Sequence, residues 1–154
     1  MVRTVKTLAV AAIKSGTVID HIEAGRALKI LNLLKLTGNH RQIMIAMNLP
    51  GGSQKIKDII KLEGMRLTDV QEEKIAVISP EATINTIEEY EVIEKKQLIL
   101  PTFLQGIIRC PNGECICNHD RMDSFFFIEI HCKNIRFRCK YCRKYCPDNL
   151  VFPE

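Results

Sequence analysis

Cys110-x4-Cys115 and Cys139-x2-Cys142 place two close cysteine pairs in the last third of a 154-residue chain. A short turn between two cysteines presents both sulfurs to one metal. Two such turns complete the closed tetrahedron of thiolates, with bonds of about 2.3 Å, that zinc prefers. A closed shell leaves no position for water, so such a zinc holds structure together and takes no part in catalysis. The competing reading is a disulfide framework, which needs an oxidising compartment. Against it, Met1 is followed by Val-Arg-Thr-Val-Lys rather than an apolar signal core, and seven cysteines is an odd number. Cys117, Cys132 and Cys146 are left over. Cys117 competes with Cys115, because Cys115-x-Cys117 is also a short turn; Cys115 is preferred, because its knuckle through Pro111-Asn112-Gly113 is longer and less strained.

The cysteines also divide the chain. All seven lie between 110 and 146, and Pro101 marks the change of composition. Residues 101–154 are too few to bury much core, the situation in which a metal staple is needed. The expected domains are therefore 1–100 and 101–154. The net charge of +4 splits evenly: the first hundred residues carry 14 Lys/Arg against 12 Asp/Glu, the remainder 8 against 6. Four thiolates and one zinc bring the C-terminal part near neutral, which weakens any case for binding a nucleic-acid backbone. No apolar run approaches the roughly 18 residues of a membrane span, and reduced thiols fit a cytoplasmic protein.

Along the first domain, residues 5–13 read as a largely apolar strand and Lys14-Ser15-Gly16-Thr17 as the turn after it. From Ala24 to Leu36 apolar residues recur at three- and four-residue steps, a helix stopped by Gly38-Asn39. Residues 42–49 alternate as a strand, Pro50-Gly51-Gly52-Ser53 turns the chain, and Ile56–Leu62 is the next strand. Thr68–Ile78 is a second helix with Thr68 as its cap, ended by Ser79-Pro80, and residues 83–99 hold further strand. The order β-α-β-β-α-β with an added strand predicts an α+β, ferredoxin-like domain followed by a small all-β zinc-binding domain. Many functions share that fold, so function must come from particular residues.

Three local features stand out. Gly16–Ile22 ends in Asp20 and His21 side by side; Lys57 and Lys61 share one face of a strand; Asn85, Tyr90 and Lys95 lie near the sheet edge. Two lysines suit a triphosphate, and the acid, imidazole and amide suit a ribose and base. The plainer reading is a solvated strand face and a surface turn. No Walker or Gly-x-Gly-x-x-Gly sequence is present, and Gly51-Gly52-Ser53-Gln54 reads as a hairpin connection.

Gly16-Thr17-Val18-Ile19-Asp20-His21-Ile22, Leu34-Lys35-Leu36-Thr37, Asn48-Leu49-Pro50, Lys57-Asp58-x-Ile60-Lys61, Ala82-Thr83-Ile84-Asn85-x-Ile87 with Tyr90-Glu91-Val92, Cys110-Pro111-Asn112-x-x-Cys115 and Cys139-Lys140-Tyr141-Cys142 together resemble the regulatory chain of aspartate carbamoyltransferase, in register from about residue 5 to the C-terminus. The resemblance implies a non-catalytic allosteric subunit of pyrimidine biosynthesis. It would bind CTP as inhibitor and ATP as activator, with UTP as a further effector, pair as a regulatory-chain dimer, and hold the catalytic chain through its zinc domain. By position, the nucleotide site it implies is Ala11, Ile13, Val18, Asp20, His21, Lys61, Asn85, Ile87, Tyr90, Val92 and Lys95. Lys61 and Lys95 would face phosphates, Asp20 and His21 the ribose and phosphate region, and the backbone of Ile13 and Glu91-Val92 the base. The implied zinc ligands are Cys110, Cys115, Cys139 and Cys142, and Asn112, Lys140, Tyr141 and Lys144 match the family's interface surface.

The chain departs from the family pattern at Arg143, where an acid is usual, and at Glu114, where an amide is usual. Both changes imply a compensating change in the partner. The main rival is a zinc-ribbon nucleic-acid binder using Lys133, Arg136, Arg138, Lys140, Arg143 and Lys144, with Phe137 and Tyr141 interleaved.

Overall fold

The computed structural model describes residues 10–38, 40–52, 55–147, 150 and 152–153. The chain divides into two compact units, Met1–Leu100 and Pro101–Glu154. In the first, the order is β1 (Gly16–Glu23), α1 (Ala27–Leu34), a single 3-10 turn (Leu36–Gly38), β2 (Ile43–Pro50), β3 (Ile56–Glu63), α2 (Asp69–Ile78), β4 (Thr83–Glu88) and β5 (Glu91–Gln97). All pairings are antiparallel in the order β2-β3-β1-β4-β5. This is the ferredoxin-like split βαβ arrangement with β5 added at one edge.

The placement of β1 corrects an expectation. The strand expected over residues 5–13 falls partly outside the described residues, and 10–13 belong to no strand. Of the segment expected to be a turn, Lys14 and Ser15 bend the chain, whereas Gly16 and Thr17 open the central strand. Thr17-Val18-Ile19 is a β-branched run, and such side chains favour a pleated surface over a turn. Gly16 starts the strand with φ at +136°, and a Cβ there would lie 2.0 Å from the Leu62 carbonyl oxygen, so only glycine lets the two backbones approach this closely.

Both helices follow from their apolar spacing. Ala27, Ile30, Leu31 and Leu34 form the buried stripe of α1, which ends where Lys35 turns left-handed at φ 52° and its N–H reaches back to Asn32 and Leu31. Thr68 caps α2 as expected, and Gln71 supplies the reciprocal bond of the capping box. Ile19, Ile60 and Ile84 lie opposite one another on β1, β3 and β4, and with Ile22, Ile30, Ile75 and Ile78 they make the fully enclosed core.

A carboxylate sits inside this core. Asp58 alternates in phase with Ile60 and Leu62 and is completely buried. Its Oδ2 accepts from the N–H of Gly25 at 2.8 Å and of Ala27 at 3.2 Å, and its Oδ1 from the N–H of Asn48 at 2.9 Å. Ala27 opens α1, whose first N–H groups have no partner within the helix, and Asn48 lies in a left-handed bulge of β2 at φ 57°. One carboxylate therefore joins a helix start and a strand irregularity.

The second unit is a three-stranded antiparallel sheet, β6 (Phe103–Gln105), β7 (Phe125–His131) and β8 (Asn134–Cys139), with a one-turn helix α3 (Ile116–His119) after the first cysteine pair. Its inner face buries Leu104, Phe126, Phe137 and Cys139 together with Ile107 and Ile108.

Removing the Asp58 carboxylate strands three backbone donors, and each such loss costs about 1 to 3 kcal/mol. Asp58→Ala is expected to lower stability in urea denaturation by about 3 to 5 kcal/mol, and Asp58→Asn, which keeps one acceptor oxygen, by about half as much. A loss below about 1 kcal/mol for Asp58→Ala would show that water replaces the carboxylate without penalty.

Candidate functional sites

The four cysteines of the paired turns converge. Their sulfurs all lie within 4.8 Å of one another, with Cys110–Cys142 and Cys115–Cys139 each at 3.7 Å. A tetrahedron of sulfurs around a metal at about 2.3 Å has edges of about 3.8 Å, so the cluster fits one four-coordinate ion. Cys110, Cys115 and Cys139 are buried and Cys142 is half-buried. Burial pushes the thiols of Cys110 and Cys139 up, but backbone N–H groups oppose it, from Asn112 toward Cys110 and from Cys142 and Tyr141 toward Cys139. At Cys142 burial is outweighed by the Lys144 N–H and the Asn112 side chain, which bring the thiol to about 7. Donors aimed at buried sulfurs suit thiolates, whose charge a bound cation would balance. Asn118 ties the first knuckle together, its side-chain amide donating to the carbonyls of Cys110 at 3.0 Å and Asn112 at 2.8 Å. Cys117 sits 3.3 Å from the Cys115 sulfur but outside the quartet, with its thiol pushed up to about 12, chiefly by burial.

The residues matched to an interface lie on the same knuckles and have two duties. Asn112, Tyr141 and Lys144 direct donors to the sulfurs, and the Lys144 carbonyl accepts from the Cys139 N–H at 3.0 Å. The side chains of Lys140 and Lys144 are exposed, as are Glu114 and Arg143. Phe137, by contrast, is enclosed in the core at 7% exposure, so it offers no stacking surface to a nucleobase.

The second candidate site is the sheet face turned away from the helices. Strand register aligns Met44, Lys61, Val18, Asn85 and Lys95 as one row across β2, β3, β1, β4 and β5. Toward one end, Ile87 pairs with Val92; toward the other, Thr83 lies opposite Asp20. Residues 10–14 cover part of this face. Ile13 is buried in a small cluster with Val18 and Ile87, against which Met44 and Ile59 pack. Lys61 Nζ donates to the carbonyls of Ala11 at 2.8 Å and Val10 at 3.2 Å, and Lys14 accepts from the Tyr90 N–H at 2.9 Å. Burial lowers the Lys61 ammonium's pKa, and the negative charge of Asp20 opposes that shift.

Asp20 and His21 occupy a bulge in β1, where the register shifts between Ile19 and Ile22 and His21 takes φ 56°. Asp20 Oδ1 accepts from Lys57 Nζ at 2.8 Å and from the His21 N–H at 2.6 Å. Burial would raise the Asp20 carboxyl, but the bond from Lys57 and the His21 N–H outweigh it and hold it below the usual carboxylate range. The His21 ring reaches Thr83 Oγ1 at 3.3 Å. Thr83 joins the expected residues at this end, because its position two residues before Asn85 puts it on the same face. Tyr90 and Val92 are 64% and 57% exposed, so the far end of the site is open. At its centre, Asn85 Oδ1 is buried with no hydrogen-bond partner among the described residues. A recess of about 610 Å³ adjoins the Asp20–Lys57 end, bordered by His21, Lys57, Gly51 and Ser79.

Comparison with known proteins gives both domains a family. Residues 8–99 match the family model described as the aspartate carbamoyltransferase regulatory chain, allosteric domain, and residues 103–151 match that chain's metal binding domain. The aspartate carbamoyltransferase regulatory chain of Sodalis glossinidius is 43% identical over 137 residues, covering 89% of both chains. That of Aeromonas hydrophila is 41% identical over 144 residues, covering 94% of both. The Pyrococcus abyssi chain is 42% identical over 139 residues, covering 89% of this chain and 91% of its own. The chain belongs to the aspartate carbamoyltransferase regulatory-chain family, a regulatory and not a catalytic subunit, with an allosteric domain followed by a metal-binding one.

Proposed function

We propose that the open face of the first sheet binds the triphosphate effectors CTP, as inhibitor, and ATP, as activator, with UTP as a third candidate, and that the second domain holds a catalytic chain through a structural zinc. The observation that carries the effector reading is the row Lys61–Val18–Asn85–Lys95 with a buried Asn85 oxygen at its middle that has no partner among the described residues. A buried acceptor without a donor costs about 1 to 3 kcal/mol, and a ligand N–H or O–H would remove that cost. Lys61 and Lys95 stand three strand spacings apart, about 14 Å at the backbone, and two long ammonium arms close that gap onto a polyphosphate. Asp20 and His21 then take the ribose and phosphate region, Val18 and Ile87 give the apolar floor, and the backbone at Ile13 and Glu91-Val92 reads the base. Ala11, Tyr90 and Val92 close the rim.

For the metal we infer zinc, since four thiolates at tetrahedral spacing are its preferred structural site. The ion would be bound by Cys110, Cys115, Cys139 and Cys142, and it would supply only the closure of two knuckles. Asn112, Lys140, Tyr141 and Lys144 would present the surface that meets the catalytic chain. The same reading places the protein in the cytoplasm, where thiolates stay reduced, and no helix among the described residues is long and apolar enough to cross a membrane.

A regulatory dimer has a ready edge. β5 carries Glu91, Glu94, Lys95 and Lys96 and is guarded against pairing, whereas β2, Ile43–Pro50, has no charged residue along its open side. β2 is therefore the strand through which two copies would join sheets. Regulation follows by linkage: an effector bound differently in two quaternary states shifts the catalytic partner between them, typically by about 1 to 3 kcal/mol.

Lys61→Ala is expected to weaken CTP binding by about 30-fold or more in calorimetry while metal content and assembly stay intact, as loss of a charge-assisted phosphate contact implies. Unchanged CTP affinity would sink the effector site. Cys110→Ser or Cys139→Ser should lose the metal and with it co-purification with the catalytic chain. Full stoichiometry in either variant would refute a structural role for the metal.

A further inference from the structure

The outer face of the C-terminal sheet, opposite the metal-bearing core, carries an aromatic and cationic surface of which only Lys140 belongs to the interface proposed above. Register aligns Phe103, Phe127 and Arg138 across β6, β7 and β8, and Arg138 bridges on to Tyr145. Phe125 stacks on Phe103 with centroids 5.1 Å apart and planes 9° apart, and meets Phe127 edge-on at 5.3 Å. Each aromatic patch has a cation over it: Lys140 lies 4.9 Å from the Phe125 ring, Arg138 5.5 Å from Phe127, and Arg136 5.8 Å from Tyr145. Phe103 and Phe127 nevertheless remain 50% and 38% exposed.

Two properties identify the occupant. The first is composition: aromatic rings locked by their neighbours and flanked by arginine are the makeup of protein-interface hot spots, where little side-chain freedom remains to be lost on binding. The second is charge. Glu129 already neutralises Arg138 at 2.6 Å and accepts from the Tyr145 hydroxyl at 2.8 Å. Arg136, Lys140 and Lys144 pair with no carboxylate among the described residues, so a positive surplus flanks an apolar centre. A single-stranded nucleic acid fits less well. It brings a phosphate at every nucleotide across a face holding the Glu129 carboxylate, and it needs open ring faces where several are already engaged.

We propose that this face, the Phe103–Phe127–Arg138 row with Phe125, Lys140 and Arg136 around it, docks an acidic surface of the catalytic chain whose centre is apolar. The inference deepens the reading that the C-terminal domain grips that chain and rests on it. It extends the contact from the knuckles, through Lys140, across the sheet.

The test uses the full-length chain with its catalytic partner, comparing wild type with Phe127→Ser and Arg136→Glu. Metal content and CTP affinity serve as controls for folding. Both variants are expected to bind the catalytic chain about tenfold or more weakly than wild type. Arg136→Glu should also flatten the fall of affinity with salt. Arg136 is exposed, so its variant carries the test if Phe127→Ser loses metal. Unchanged affinity and salt dependence in metal-loaded Arg136→Glu would overturn the proposal while leaving the proposed function standing. A wild-type chain that failed to bind the catalytic chain at all would overturn both. Fluorescence anisotropy with single-stranded oligonucleotides closes the remaining route: tight binding by wild type that Arg136→Glu abolishes, with catalytic-chain affinity unmoved, would assign the face to nucleic acid instead.

Discussion

Asp58 ties three segments of the first domain together from one strand position. Its two oxygens hold the link from β1 into α1 and the bulge of β2 on either side of one strand position. The strand that carries it also carries Lys57 and Lys61 on its opposite face, one residue before and three after. Alternation therefore couples the two faces. Whatever holds Asp58 in phase with Ile60 and Leu62 also aims both lysines at the open face, and a slip of one residue would exchange a buried carboxylate for a buried ammonium.

The metal cluster follows a related economy of position. Asn112, Tyr141 and Lys144 each direct a donor toward a sulfur, so the backbone that makes the thiolate environment also sets where the surface side chains of the knuckles project. A domain of this size has a small core, of which three cysteines are buried members. On the reading that the knuckles meet a catalytic chain, metal loss removes the docking surface together with the staple. The first domain then loses its connection to that chain before it loses its own fold, because it has its own buried core.

Where the sequence was legible, one physical rule dominated locally. Thiolate spacing identifies the quartet without knowledge of the fold, and the capping residue and apolar step identify α2. At β1 the apolar run over 5–13 competes with the β-branched run that follows, and Gly16 has the character of a turn residue until its close approach to Leu62 is known. The pairing of Asp20 with Lys57 and the seating of Lys61 on main-chain carbonyls depend on register between distant strands, which composition does not reveal. Asp58 did leave a signal, since an acid in phase with Ile60 and Leu62 must be buried and therefore hydrogen-bonded. The outer aromatic face was obscured for a similar reason. Phe137 and Tyr141 stood out beside the basic residues, but alternation sends Phe137 into the core and leaves Phe103, Phe125 and Phe127 on the exposed side.

On the reading that the open face binds a triphosphate, the seating of Lys61 couples that binding to residues 10–13. Its ammonium is already satisfied by the carbonyls of Val10 and Ala11, so an arriving phosphate exchanges neutral acceptors for a charged one rather than filling an empty site. Only the difference between the two sets of bonds contributes to binding, and it favours the phosphate, because a charge-assisted bond is roughly twice as strong as a neutral one. The exchange also releases the carbonyls that hold residues 10–11 across the open face, so the chain segment leading into Ile13 is coupled to ligand through the same lysine. A signal carried by exchanging partners at one ammonium is reciprocal: whatever holds residues 10–13 more firmly on the sheet must also weaken the ligand by the same free energy.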